Sequence, residues 1–161
     1  MTKKMTEDEK THKRFAIDLF NATWELLDKP ERTQEEIDAM IHMAHASRYH
    51  WGEVGSAVNL ARGEWQVARV YTVLNRPEPA HYHALRSLEI CLANQIGDFD
   101  LAYAYEALAR VNALENKIIE CHHYLKKAHQ AGAAIAEQED REHFIQDLES
   151  IQIDEPFVFV D

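Results

Sequence analysis

Two short stretches carry the side chains best suited to grip a partner. Arg62, Trp65 and Arg69 follow one another at intervals of three and four residues, and Tyr103, Glu106 and Arg110 repeat that spacing. On an α-helix such intervals bring side chains onto one face. Arginine is the telling member, because its planar guanidinium holds a carboxylate through two parallel hydrogen bonds and stacks on aromatic rings. Between Thr33 and Asn116 every basic residue is arginine (Arg48, Arg62, Arg69, Arg76, Arg86, Arg110), whereas the lysines sit towards the chain ends. The competing arrangement is a row of internal ion pairs, Glu106 with Arg110 and Arg62 with Glu64 or Glu106, which would leave little for a ligand.

The ten histidines make metal binding a second chemistry to weigh. Asp38, His42 and His45 fall on one helical face, a spacing that can set a carboxylate and two imidazoles around one ion. Nothing else completes a catalytic set. The nucleophile elbow, the phosphate-binding glycine loop, the HExxH pair and the dinucleotide fingerprint are all missing from the sequence, and Ser47 with His50 lacks an orienting acid. The sequence therefore predicts no cofactor and no catalysis, with a helical enzyme or metal protein using Asp38, His42 and His45 as the alternative. Cys91 and Cys121 lie in apolar helical patterns without a CxxC spacing; they read as small hydrophobes in a reducing compartment.

Composition narrows the partner. The 161 residues are 46% apolar and 28% charged, which suits one compact domain. Lysine and arginine total 17 against 28 acids, a formal charge of −11, and residues 137–161 hold nine acids against Arg141 alone. Such a balance offers no basic footprint for phosphate backbones or anionic lipid surfaces, so neither nucleic acid nor membrane is expected as a partner. No stretch approaches the ~20 uncharged apolar residues of a bilayer span. The first residues mix Lys, Glu and Asp without an apolar core, so a cytoplasmic location is expected.

These side chains must be positioned by helices. Apolar residues recur at three and four almost everywhere, and few glycines and prolines interrupt them. The pattern predicts about seven helices. The first covers residues 7–28. The second is opened by Thr33, with Glu36 three residues on as a capping box, and runs towards Trp51. The third covers about 53–74, with Gly63 as a kink or as a later start. The run Arg76-Pro77-Glu78-Pro79 breaks the chain, and the fourth helix follows over 80–94. Asp98 caps a fifth over 99–115, the sixth ends at Gly132 as a C-terminal glycine, and the seventh spans 137–151. Short connections make neighbours antiparallel, so the expected fold is all-α, built of stacked hairpins. Trp24, Trp51, Trp65, Tyr49 and Tyr71 are expected to anchor hairpin to hairpin. Residues 152–161 alternate around Pro156 and predict an extended acidic and apolar tail.

The third and fourth helices overlay on the fifth and sixth at an offset of 41 residues. Val67, Ala68 and Tyr71 align with Leu108, Ala109 and Asn112, and Ala80, Ala84 and Ser87 align with Cys121, Leu125 and Ala128. Small residues in mid-helix, answered by small or apolar ones on the return helix, resemble the tetratricopeptide (TPR) repeat over residues 61–132. The offset exceeds the ~34 residues of that repeat and its closing proline is missing. The resemblance implies a single domain wound as a right-handed superhelix: a divergent hairpin over 7–51, two TPR-like hairpins over 53–132, and a capping helix over 137–151. It also implies that the first helix of each hairpin lines a concave groove. Carried over residue by residue, the groove residues are Arg62, Trp65 and Arg69 in one copy and Tyr103, Glu106 and Arg110 in the next. The implied activity is non-catalytic binding of a protein or peptide, acidic or C-terminal in character, or of a second copy of the chain. The segment Glu155-Pro-Phe-Val-Phe-Val-Asp161 is itself a candidate occupant. A compact bundle without a groove is the alternative fold.

Overall fold

The structure, a computed structural model, describes residues 3–153; the expected tail, apart from Gln152 and Ile153, lies outside the described residues. Every regular element among them is helical: α1 (Glu7–Leu27), α2 (Gln34–Val54), α3 (Ala57–Val73), α4 (Pro77–Ala93), α5 (Asp98–Leu114), α6 (Ile118–Ala133) and α7 (Gln138–Glu149). None of these is long and apolar enough to cross a membrane.

Local chemistry sets the helix ends. Thr6 and Thr33 open α1 and α2 as capping boxes: Thr33 Oγ1 accepts from the Glu36 amide at 3.2 Å, and the Glu36 carboxylate accepts from the Thr33 amide at 2.9 Å. Two of four otherwise orphaned amide protons are thereby satisfied. At the other end of α1, Arg32 donates to the carbonyls of Leu26, Leu27 and Lys29. The turns after α3 and α5 are the same object. Asn75 and Asn116 both adopt φ 56°, and in each case the following amide reaches back five residues, Arg76 to Tyr71 O and Lys117 to Asn112 O, both at 2.8 Å. Asparagine tolerates this left-handed conformation better than other non-glycine residues.

Three boundaries differ from the sequence pattern. The third helix does not run on from Glu53: α2 continues to Val54, Gly55 is extended, and Ser56 opens α3. The fourth starts at Pro77 instead of beyond it. Proline suits the first helical position, where an amide proton would have no partner anyway. Gly63 neither kinks nor starts a helix; it lies inside α3, and a Cβ there would fall 2.8 Å from Arg48 Cδ. Gly132 likewise is no C-terminal glycine. It lies within α6 with negative φ, and a Cβ there would fall 2.3 Å from Phe144 Cε1.

Packing is strongest within the consecutive pairs α1/α2, α3/α4 and α5/α6, and next between α2 and α3 and between α4 and α5. The odd-numbered helices also touch in sequence, α1 with α3, α3 with α5, and α5 with α7. Buried small residues mark successive pairs. Ser47 Oγ donates to the Ala16 carbonyl at 2.7 Å, joining α1 to α2, and Ser87 Oγ donates to the Ala61 carbonyl at 2.9 Å, joining α3 to α4. Ala102 and Ala128, displaced by 41 residues from Ala61 and Ser87, are fully buried at the corresponding positions of α5 and α6. The helix α7, the last among the described residues, seats Phe144, 0% exposed, in a cluster with Tyr103, Ala128, Ile135 and Leu148. Cys91 and Cys121 are buried and free, and burial pushes the Cys91 thiol up to about 11, a weak nucleophile at neutral pH.

Because Gly132 is the floor on which the Phe144 ring rests, Gly132→Ala is expected to destabilise the protein by about 1–3 kcal/mol, the usual cost of overpacking. Thermal melting followed by circular dichroism measures this, and an unchanged melting temperature would contradict the tight seat of α7 on α6.

Candidate functional site

The six residues singled out from the sequence lie on α3 and α5, helices that touch each other. They divide into two groups. Arg62, Trp65 and Tyr103 line a cavity of about 440 Å³. Its remaining walls come from Phe20 and Trp24 of α1, Ala61 of α3, Ser87 of α4, Phe99 and Asp100 of α5, and Asp140, His143 and Asp147 of α7. The aromatic rings form a continuous run. Trp65 stands 5.5 Å from both Trp24 and Tyr103, centroid to centroid, and Phe99 lies 4.6 Å from Tyr103. The Trp65 Nε1 proton is buried without a partner, so an otherwise apolar wall retains one unsatisfied donor.

Polar contacts hold these walls in place. Arg62 grips Asp100 with both arms of its guanidinium, Nε to Oδ1 at 2.7 Å and a second nitrogen to Oδ2 at 3.1 Å. That hydrogen bond raises the Arg62 pKa against the opposing effect of burial. The Tyr103 hydroxyl donates to Asp147 Oδ2 at 2.6 Å and ties α5 to α7. Burial first, and the carboxylate second, push its pKa well above the ordinary phenol value. The Asp140 carboxylate, by contrast, makes no hydrogen bond or ion pair among the described residues.

Arg69 and Arg110 belong to a second hollow of about 460 Å³, lined also by Thr72, Val73, Ala113, Leu114, Ile151 and Gln152. Glu106 lies beneath them, 1% exposed, and serves as their common counter-charge. Arg110 Nε donates to it at 2.6 Å, and Arg69 approaches it to 3.9 Å. Arg110 also donates to the Asp147 carbonyl at 2.9 Å and to Ser150 Oγ at 3.0 Å, so its fork closes the C-terminal end of α7. Burial, and then the charge of Arg110, lower the Arg69 pKa, while Glu106 pulls it back. All three site arginines therefore face a carboxylate. The Glu106–Arg110 pair is the internal one foreseen, whereas Arg62 chooses Asp100 in place of Glu64 or Glu106.

The metal candidates are not gathered: among the described residues no three His, Cys, Asp or Glu side chains come together to hold an ion. Asp38 accepts from Gln34 at 2.9 Å, and His45 Nε2 shares a 2.8 Å hydrogen bond with the Tyr71 hydroxyl. His45 belongs to a different cluster, where α2, α3 and α4 meet. There Glu64 accepts from Arg48 at 3.0 Å and from His83 Nδ1 at 2.6 Å, and the His83 ring stacks on Tyr71. Burial lowers the His45 pKa, and the charge of His83 adds to it. For Glu64 burial acts upward, but hydrogen bonds and charge from His83 and Arg48 outweigh it and the net shift is downward. Tyr49, expected as an anchor, is 62% exposed.

Several functional positions escaped the sequence reading, yet a signal for them exists. The intervals of three and four that mark Arg62, Trp65, Arg69 and Tyr103, Glu106, Arg110 recur as Ile17, Phe20, Trp24 on α1 and as Asp140, His143, Asp147 on α7. Successive triads are displaced by 45, 41 and 37 residues, and a search at one fixed offset finds only the middle step. Ile17 and Phe20 line a smaller neighbouring cavity of about 190 Å³ together with Arg62. No family model, curated protein or solved structure matches this chain.

Two measurements test this account. Glu106→Gln strips the buried counter-charge from two partly buried guanidiniums and is expected to cost about 3 kcal/mol in denaturant unfolding. Arg62→Ala, which breaks a half-exposed pair, should cost less than about 1 kcal/mol; equal costs would refute the assigned division of roles. For acid stability the sign is common to both shifted groups. His45 lies below its ordinary 6.5 and Glu64 below its ordinary 4.5, so the stability they contribute is present above those values and is lost as pH falls through the lowered ones. The melting temperature should therefore drop between about pH 7.5 and 5.5, and His45→Gln should flatten that drop; an unaltered slope would show that another group carries it.

Proposed function

We propose that the chain is a TPR-like α-solenoid module, a single domain of antiparallel hairpins wound as a right-handed superhelix, which binds a protein or peptide segment without catalysing a reaction. The observation that carries this reading is that members of the spaced triads of α1, α3, α5 and α7 (Phe20 and Trp24, Arg62 and Trp65, Tyr103, and Asp140, His143 and Asp147) line one aromatic cavity along a run of touching helices. Two further features support it. Corresponding Ala/Ser and Ala/Ala positions recur in three successive pairs. The left-handed asparagine turn recurs after α3 and α5.

On this reading an extended segment lies along the odd-numbered helices, crossing the cavity and the hollow beside Arg69. Arg69 is the guanidinium with the loosest internal partner, at 3.9 Å, and is the natural seat for a carboxylate of an acidic or C-terminal peptide. Self-association is a second reading, favoured by the exposed apolar side chains of α4 and α6, Leu92 at 56% and Ile119 at 83%. A cytoplasmic setting fits two buried, unpaired cysteines.

Panning a displayed library of random peptides against the purified chain tests the binding face. Enriched peptides are expected to lose about tenfold in affinity, ~1.4 kcal/mol by calorimetry, when Trp24→Leu or Arg69→Ala is introduced with the melting transition retained. No enrichment, or binders indifferent to both substitutions, would overturn the reading. A dimer seen by light scattering that Ile119→Glu disperses would transfer the proposal to the second reading.

A further inference from the structure

The cavity can be read for the chemistry of its occupant. Its volume of about 440 Å³ lies within the ~300–1,000 Å³ range of small-ligand sites, room for one long side chain with the backbone that bears it. Five helices contribute walls, and α1 and α3 face it with indoles: Trp24 and Trp65 lie 5.5 Å apart with their planes inclined by 32°. Tyr103 meets Trp65 edge-on, at 80°. Aromatic faces carry negative quadrupole potential and attract cations, indoles most strongly.

The ionised groups have the matching sign. Three aspartates line the cavity against a single arginine. That arginine is already spent, because both arms of Arg62 hold Asp100. The Asp147 carboxylate accepts from the Tyr103 hydroxyl and lies 3.6 Å from His143 Nε2, and Asp140 has no partner among the described residues. Among the described residues Asp140 therefore stands without a basic partner beside a set of π faces. An entering anion would face the Asp140 carboxylate, and an uncharged aliphatic chain would leave it unused. A cation satisfies both the rings and the carboxylate. The peptide backbone beside it also has something to offer, since the buried Trp65 Nε1 proton lacks an acceptor and a carbonyl is one. The chain as a whole, at −11, favours the approach of a positively charged segment.

We infer that the aromatic cavity between α1, α3, α5 and α7 receives the lysine or arginine side chain of a basic stretch in a partner protein. This rests on the reading that the odd-numbered helices bind a peptide, and it adds which side chain the cavity selects. The hollow at Arg69 would then take an acidic group elsewhere on the same segment.

The test uses the intact chain and four capped amino acids as probes: N-acetyl amides of lysine, arginine, norleucine and glutamate. Binding is read from the NMR signals of the Trp24 and Trp65 indole protons, with Trp51 as an internal control. The lysine and arginine probes should shift both signals saturably, at least tenfold more tightly than norleucine, with no response to glutamate. Asp140→Asn should weaken the cationic probes about fivefold without altering the melting temperature, and added salt should weaken them further. Norleucine binding as tightly as lysine would overturn the inference and leave a plain apolar socket, with the peptide-binding reading intact. Silence from all four probes would also overturn it, while the library experiment judges the wider reading separately. Asp140→Asn without effect on the cationic probes would remove the carboxylate from the argument and refute it in the form given.

Discussion

Every larger feature of this protein depends on small side chains where its helices meet in pairs. At Ala16 with Ser47 and at Ala61 with Ser87 a serine hydroxyl reaches across to an alanine carbonyl, and at the corresponding Ala102 and Ala128 only methyl groups remain. A hydroxyl donated to a main-chain carbonyl requires the two helices to run close together, and a longer side chain at any of these buried positions would wedge them apart. Closely joined pairs leave the odd-numbered helices in touch with one another, which is how α1, α3, α5 and α7 come to line a common cavity. The last helix reaches the same row by a different device, a phenylalanine ring laid on a glycine.

Charged residues then fix how the row is spaced. Arg62 reaches from α3 to Asp100 on α5, Arg69 reaches from α3 towards Glu106 on α5, and Arg110 reaches from α5 to the closing turn of α7. These are cross-braces between the lining helices. Arginine suits the task because its fork satisfies several acceptors at once and keeps its charge when buried. The same commitment reshapes the chemistry of the surface. Of the groups that line the cavity, Arg62 is taken up by its brace to Asp100, which leaves the aromatic rings and the Asp140 carboxylate uncommitted.

Much of the architecture was legible in the sequence. Helix number followed from the three-and-four periodicity, the start of α2 from Thr33 and Glu36, and the corresponding α3/α4 and α5/α6 pairs from one offset. Boundaries near proline and glycine were less so. Pro77 terminates a helix in one context and opens one in another, and the difference lies in which amide would be orphaned. Gly63 and Gly132 looked like punctuation, but they are clearances for Arg48 and Phe144, partners 15 and 12 residues away. The site was half legible. Arg62, Trp65 and Tyr103 were found by spacing, but Asp100, Trp24 and the α7 wall were not, because an ion pair across two helices leaves no local signature and the outer triads depart from the 41-residue offset.

The way α7 is held has a consequence for how the cavity behaves in time. Among the described residues α7 leans on α6 and α5 alone, and more thinly than the consecutive helix pairs pack on each other. Elements with few packed neighbours open locally far more often than the whole chain unfolds. Since Asp140, His143 and Asp147 all ride on that element, its local opening would dismantle one wall while α1, α3 and α5 stay folded. Occupancy of the cavity and amide-exchange protection of α7 would thus be thermodynamically linked, and anything held there would clamp α7 in proportion to its concentration.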